Sequence, residues 1–441
     1  MEQVKAYPRK RFFVEMITRD ISLEDCILDL VDNAIDSLLR TRSIDIEKAV
    51  LGNGAKVTGT FQKHSISIAY DARHFAISDD CGGIPKEHAK NDVFCFGPSP
   101  GAEPGRLGVY GIGLKRAILK LGKKAEVKSH TQKEAYRVRL DLEKWLKEDE
   151  SLEDWTFELD DMPSKPKEKP GTAIEVTNLY PEVARKGADK SVDSTLRKTV
   201  AQTYAVFLSK YVSIEINGVP IDGDELPIGR SKEVSPGIDR FQKDGVTVVL
   251  TASLAQASHR RQDSAGWYVL CNGRVVVRSD KTELTGWGVG LPSFHSKFIG
   301  FVGVALLLSE DPLLLPWTTT KRGLNRESTL YQMVVGRMGV VARPVISFLS
   351  KQYPTDPIEN PPERGVAERV SETADLRSLF RQPSAKFRAI TRAAPSSTTK
   401  IQYDAPQADL EKIKRQLRRP SMSASAVGRH TFDHYLKTEC P

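Results

Sequence analysis

Between Leu28 and Ser37 the chain reads Leu-Asp-Leu-Val-Asp-Asn-Ala-Ile-Asp-Ser, which places Asp29, Asp32, Asn33 and Asp36 at offsets of three and four. On a helix those positions share one face, while Leu30, Val31, Ala34, Ile35 and Leu38 point elsewhere. Carboxylates crowded beside a carboxamide make a poor core and an unneeded surface. They suit a Mg²⁺ ion and a water that must lose a proton. A solvated helix face is the plain alternative for this stretch taken alone.

Two glycine-rich segments follow it. The first is Ile77-Ser78-Asp79-Asp80-Cys81-Gly82-Gly83-Ile84-Pro85, at the end of a run from Ser65 to Ile77 that alternates like a strand. Its glycines permit a turn that Cβ atoms would obstruct, and a carboxylate at a strand end can accept a hydrogen bond from an exocyclic amine. The second is Gly108-Val109-Tyr110-Gly111-Ile112-Gly113-Leu114-Lys115, which runs into an apolar helical stretch. Such glycines open backbone amides to phosphate oxygens, and a helix start adds its positive end. No βαβ unit precedes it and no G-x-x-x-x-G-K-[ST] occurs, so neither a Rossmann fingerprint nor a P-loop is present. Phe96 to Gly105, rich in Gly and Pro, reads as a mobile loop of the kind an ATP lid needs.

In this order, acid-Leu-Val-Asp-Asn-Ala-x-Asp, Asp-x-x-x-Gly-Ile, Gly-x-x-Gly-x-Gly-x-Lys and Gly171-Thr172, the motifs resemble those of the GHKL (Bergerat-fold) ATPases, and most of all MORC proteins and their prokaryotic relatives. The resemblance covers roughly residues 10–350. It implies ATP and Mg²⁺ as ligands. Asp29 stands where the general base is, and Asn33 where the Mg²⁺ ligand is. Asp36 belongs to the same nucleotide-binding face. Asp79 matches the acid that reads adenine, supported by Thr172 through water, with Gly83 and Ile84 lining the adenine pocket. Gly108, Gly111, Gly113 and Lys115 would meet the phosphates. Two positions depart from the pattern. Asp29 stands where the family usually has Glu, one methylene longer, and Cys81 replaces the first glycine of Asp-x-Gly-x-Gly.

The implied fold class is α+β: a Bergerat α/β sandwich over residues 1–185, a transducer-like (ribosomal S5-like) α/β domain over 190–352, and a linker with a mostly extended, basic tail over 353–441. Ser22 with Asp25 reads as a capping box opening the acidic helix. Ala125–Val127, Ala135–Leu140 and Thr172–Thr177 read as strands of one sheet, and Lys144–Pro170 as a surface insertion. In the second half a helix is expected from Val192 to Ser209. Strands follow at Val212–Ile216, Val246–Ala252, Trp267–Leu270 and Phe298–Leu308, and a helix at Asn325–Ser350. Asn217-Gly218 and Asn272-Gly273 are the strongest tight-turn signals. In Leu315–Asn325, Lys321 is the match to the transducer lysine that reaches back to the ATP γ-phosphate, a task for a point charge on a flexible stem. A solvated basic loop is the alternative.

Composition fits this plan. At 441 residues there is room for two or three domains, and 39% hydrophobic with 28% charged residues are globular values. No run of about 20 apolar residues and no secretory leader is legible, so a cytoplasmic protein without membrane contact is expected. Five cysteines without a C-x-x-C pair argue against a disulfide framework or zinc site. Lys351–Pro441 carries 16 Lys and Arg against 11 Asp and Glu, most of the net +8. That excess suits nucleic-acid phosphates or simply a solvated tail.

The expectation is therefore a slow Mg²⁺-dependent ATPase whose lid closure drives homodimerisation, with the segment around Phe12, Phe13 and Met16 packing on a second subunit. DNA or a defence-system protein is the partner implied at family level. A non-hydrolysing nucleotide-binding scaffold is the main alternative. A chaperone would need a longer middle domain. A histidine kinase would need a phosphoacceptor His before the acidic helix, and none is there.

Overall fold

Helix α2, Leu23–Thr41, starts where Ser22 and Asp25 satisfy each other's backbone N–H groups, at 3.1 and 2.9 Å. Two orphan donors of the first turn are thereby paired. Its apolar positions Ile27, Val31, Ile35 and Leu38 are fully buried. These statements rest on a computed structural model that describes residues 8–52, 62–97, 107–109, 111–147, 152–163, 169–353, 370–390 and 401–440. The body of the expected lid lies outside the described residues.

Helix α2 packs beside an eight-stranded sheet. Its strands are β1 (His64–Tyr70), β2 (His74–Asp79), β3 (Gly122–His130), β4 (Ala135–Asp141), β5 (Glu158–Met162), β6 (Gly171–Leu179), β7 (Val212–Ile216) and β8 (Val219–Ile221), ordered β5-β4-β3-β6-β2-β1-β7-β8. Among the described residues of this sheet, only β1 and β7 pair in parallel. The helix Gly113–Leu121 packs beside α2 over β3 and β6.

Two expectations are corrected here. The run Ser65–Ile77 is a hairpin rather than one strand. Asp71 Oδ1 accepts the N–H groups of Arg73 and His74 at 2.6 and 3.0 Å and turns the chain between β1 and β2. Val212–Ile216, read as part of the second half, instead extends the first sheet. Its buried Val212, Ile214 and Ile216 match the inward register of Ile66 and Ile68. The surface insertion is also more built than expected, because β5 closes the sheet edge against β4. Trp155 from it meets Phe13, Phe96 and Trp145 in edge-on contacts. Helix α1, Lys10–Thr18, is anchored there. Lys10 Nζ donates to the carbonyls of Trp145 and Asp154 at 2.9 and 2.7 Å, while Phe12 and Met16 stay exposed.

The second half carries a five-stranded sheet. Its strand order is Gly237–Lys243, Val246–Leu254, Phe301–Leu308, Gly266–Cys271, Arg274–Asp280. Phe301–Leu308 is buried throughout and lies centrally, parallel to Gly266–Cys271. The turns Asn217-Gly218 and Asn272-Gly273 have positive φ at both residues, as tight hairpins demand. The helix Thr329–Gln352 packs on this sheet. By length and composition it is apolar enough to cross a membrane, which the sequence reading missed. Its sheet-facing side is that of a core helix.

The tail is not mostly extended among its described residues. Glu372–Thr373 and Arg388–Ala389 pair with Gly229–Arg230 and Val234–Ser235, so residues 370–390 dress the second half. Residues 401–440 belong to a separate unit, with helices Gln407–Gln416 and Ala424–Glu439, the second capped by Ser423.

Candidate active site

The acidic face of α2 floors a cavity of about 480 Å³. Strand ends β2 and β6 wall one end, the residues before and after the lid cover it, and Asp311, Leu313, Thr319 and Lys321 reach in from the second half. Asp29, Asn33, Asp36, Asp79, Ile84, Gly108, Gly111, Gly113, Lys115, Thr172 and Lys321 all line it. Gly83 shapes the turn beside it. Its φ is +73°, and a Cβ there would come within 2.2 Å of the His130 carbonyl oxygen, so only glycine fits.

At the sheet end Asp79 is held by two backbone N–H groups and by the Cys81 thiol. Its Oδ1 accepts from Cys81 N–H at 2.8 Å, and the Thr172 N–H adds a second bond. Burial outweighs all three and pushes the carboxyl up to about 6. The turn that follows is fixed by Ser129 Oγ, which accepts from Ile84 N–H at 2.7 Å, and by Tyr136 OH, which donates to the Ile84 carbonyl at 3.0 Å.

At the lid, Asp36 accepts from Leu107 and Gly108 N–H at 2.8 and 2.7 Å, and burial raises it to about 6 as well. Lys115 differs from expectation in where its charge goes. Its Nζ donates to the carbonyls of Val93, at 2.7 Å, and Gly111. Burial lowers it to about 8. The lysine thus ties the stretch before the lid to the stretch after it.

At the other end lies a buried charge cluster. Asp29 Oδ2 accepts from Arg116 Nε at 2.7 Å, with Arg116 Nη2 at 2.6 Å. Gly113 makes room, since a Cβ there would lie 3.3 Å from the Asp29 carboxyl carbon. Asp32, fully buried, accepts from Tyr204 OH and Lys321 Nζ, both at 2.7 Å, and pairs with Arg274. Burial first, then Asp32, pushes the Tyr204 phenol far up, so it stays a donor. Lys321 Nζ is also 3.6 Å from Asp29 Oδ1, and Lys321 is only 5% exposed. Lys321 is therefore a seated residue rather than a solvated loop lysine.

Residues 21–172 match the family described as Histidine kinase-, DNA gyrase B-, and HSP90-like ATPase. Over this stretch the chain is similar to GHKL-type ATPase domains, which supports the GHKL superfamily. Domains of this type bind ATP, typically with Mg²⁺. No curated protein matches the chain.

Sequence reasoning missed four members of the buried charge cluster. Asp32 was visible on the acidic face but had no role. Arg116 follows Lys115 directly and was given no role. Arg274 and Tyr204 lie in the second half, 242 and 172 residues from Asp32, and no local pattern points to them.

Proposed function

We propose that the chain is an ATP-operated conformational switch with Mg²⁺-dependent hydrolysis, in which the second half, 190–352, acts as the transducer. The observation that carries this is Lys321, delivered by the second half into the buried charge cluster on α2. Three cations, Arg116, Arg274 and Lys321, face two carboxylates, Asp29 and Asp32, in that cluster. The surplus positive charge suits the anionic end of ATP, in a cavity of ordinary nucleotide size.

Asp79 would accept the adenine amine at the sheet end. The cavity-lining carboxamide of Asn33 is a hard oxygen donor that fits Mg²⁺, an ion that keeps several waters and shares substrate phosphates. When bound, Mg²⁺ would neutralise part of the phosphate charge. In hydrolysis a water oxygen bonds to the γ-phosphorus as the bond to the β–γ bridging oxygen breaks, and the water's proton passes to Asp29. Lys321 exchanges Asp32 for the γ-phosphate and carries the second half with it, a contact that ADP cannot offer.

In this reading ATP closure drives homodimerisation, and the MORC-type resemblance extends the partner to DNA or a defence-system protein in the cytoplasm. The pairing of Asp29 with Arg116 favours one second reading, a nucleotide-binding scaffold with little turnover.

Sedimentation of wild type and Lys321→Ala with ADP and with a non-hydrolysable ATP analogue tests the switch. Wild type is expected to associate with the analogue and not with ADP, and the variant to associate less. Charged hydrogen bonds of about 1.5–3 kcal/mol each set the scale of the loss. The same association state in all four samples would remove both Lys321 and nucleotide from control of assembly.

A further inference from the structure

Arg116 has no part in the reading above beyond its charge, yet its geometry is specific. It stands on the helix Gly113–Leu121, one residue after Lys115, and is 5% exposed. Both contacting nitrogens meet the same oxygen of Asp29, Oδ2. Oδ1 is the oxygen that Arg116 leaves, and it faces Lys321 Nζ at 3.6 Å. Arg116 Nη2 also approaches the Thr319 carbonyl, at 3.4 Å, on the loop that carries Lys321. One guanidinium thus touches the acidic helix, the helix that follows the lid, and the loop from the second half.

A carboxylate on a short stem needs such a device. Asp29 is a methylene shorter than Glu, and its rotamer decides where its second oxygen points. Clamping Oδ2 fixes that rotamer and assigns Oδ1 to the water. The planar guanidinium can hold the carboxylate and a loop carbonyl at once, whereas an ammonium is a point charge without that fork.

We infer that Arg116 is a positioning residue for hydrolysis: it aims Asp29 Oδ1 at the attacking water and registers, through Thr319, that the Lys321 loop is seated. This rests on the proposed ATPase reading.

The test compares wild type, Arg116→Lys, Asp29→Asn and the double variant in steady-state ATP turnover, with calorimetric titration of ADP beside it. Arg116→Lys keeps the buried charge and so keeps the fold. It is expected to lower kcat roughly tenfold or more, since a misplacement of about 1 Å can cost 10²-fold. ADP affinity and KM should change by less than about threefold, because the clamp serves the water and not the nucleotide. In the Asp29→Asn background, Arg116→Lys should lower kcat no further, because a residue acting through Asp29 has nothing left to aim.

A wild-type kcat in Arg116→Lys overturns the inference. So does an equal loss of kcat and ADP affinity, and so does a full additional loss in the double variant. Wild type that binds ATP without turnover also overturns it while nucleotide binding stands. Failure of wild type to bind ATP would instead remove the proposed function itself.

Discussion

The two ends of the cavity hold buried acids in opposite ways. At the Lys321 end, Asp29 and Asp32 are covered by Arg116, Arg274 and Lys321. At the Thr172 end, Asp79 has no cation beside it, only two backbone N–H groups and the Cys81 thiol, and is pushed up to about 6 by burial. The difference shows what each end is prepared for. The first has more positive charge than it needs for itself and can share it with an anion. The second has an acceptor with no cation to satisfy it, and a ligand's N–H group can complete it.

The largest effect is expected from breaking the cation-rich end. Asp32→Asn keeps the shape but strips the anion from Arg274, which is 1% exposed. Removing one partner of a buried pair typically costs about 3–5 kcal/mol. Urea unfolding of the variant should show a loss of that order. A midpoint equal to wild type would mean that the cluster is better hydrated than its burial indicates.

Next comes Asp29→Asn, which separates binding from chemistry at the same end. Turnover should fall by roughly 10² or more, the usual scale of a lost general base, while ATP stays bound. Turnover at the wild-type rate would hand the role to another group.

The smallest effect should appear at the Asp79 end, with the opposite sign. The folded pKa of Asp79 is raised from 3.8 to about 6, so the folded state holds its proton more tightly than the unfolded chain. Ionised Asp79 therefore weakens the fold at pH 7, and that penalty fades as pH falls through about 6 towards 4. Asp79→Asn should stabilise the nucleotide-free protein at pH 7 by something on the order of 1 kcal/mol, an advantage that shrinks at pH 5. It should also bind ATP less well. Thermal unfolding at the two pH values, with ATP titration beside it, checks both. Destabilisation at pH 7 would show that the carboxylate is worth more to the fold than its burial costs.

What the sequence determined by itself was local. The capping box at Ser22, the acid face of α2, the turn at Gly83 and the tight turns at Asn217 and Asn272 are short-range matters of spacing and permitted φ, and each is where the residues put it. Eleven of the twelve residues assigned to the site line one cavity, because motif order carries them to neighbouring sheet ends and helix starts. Tertiary structure decided the rest. That Val212–Ile216 joins the first sheet depends on a parallel pairing across about 150 residues, which no window on the chain contains. That Lys115 spends its charge on two carbonyls, while Arg116 takes Asp29 and Arg274 takes Asp32, depends on which cation is carried close enough to each buried acid. Residue type says that a buried carboxylate needs a partner; only the packed chain says which one it gets.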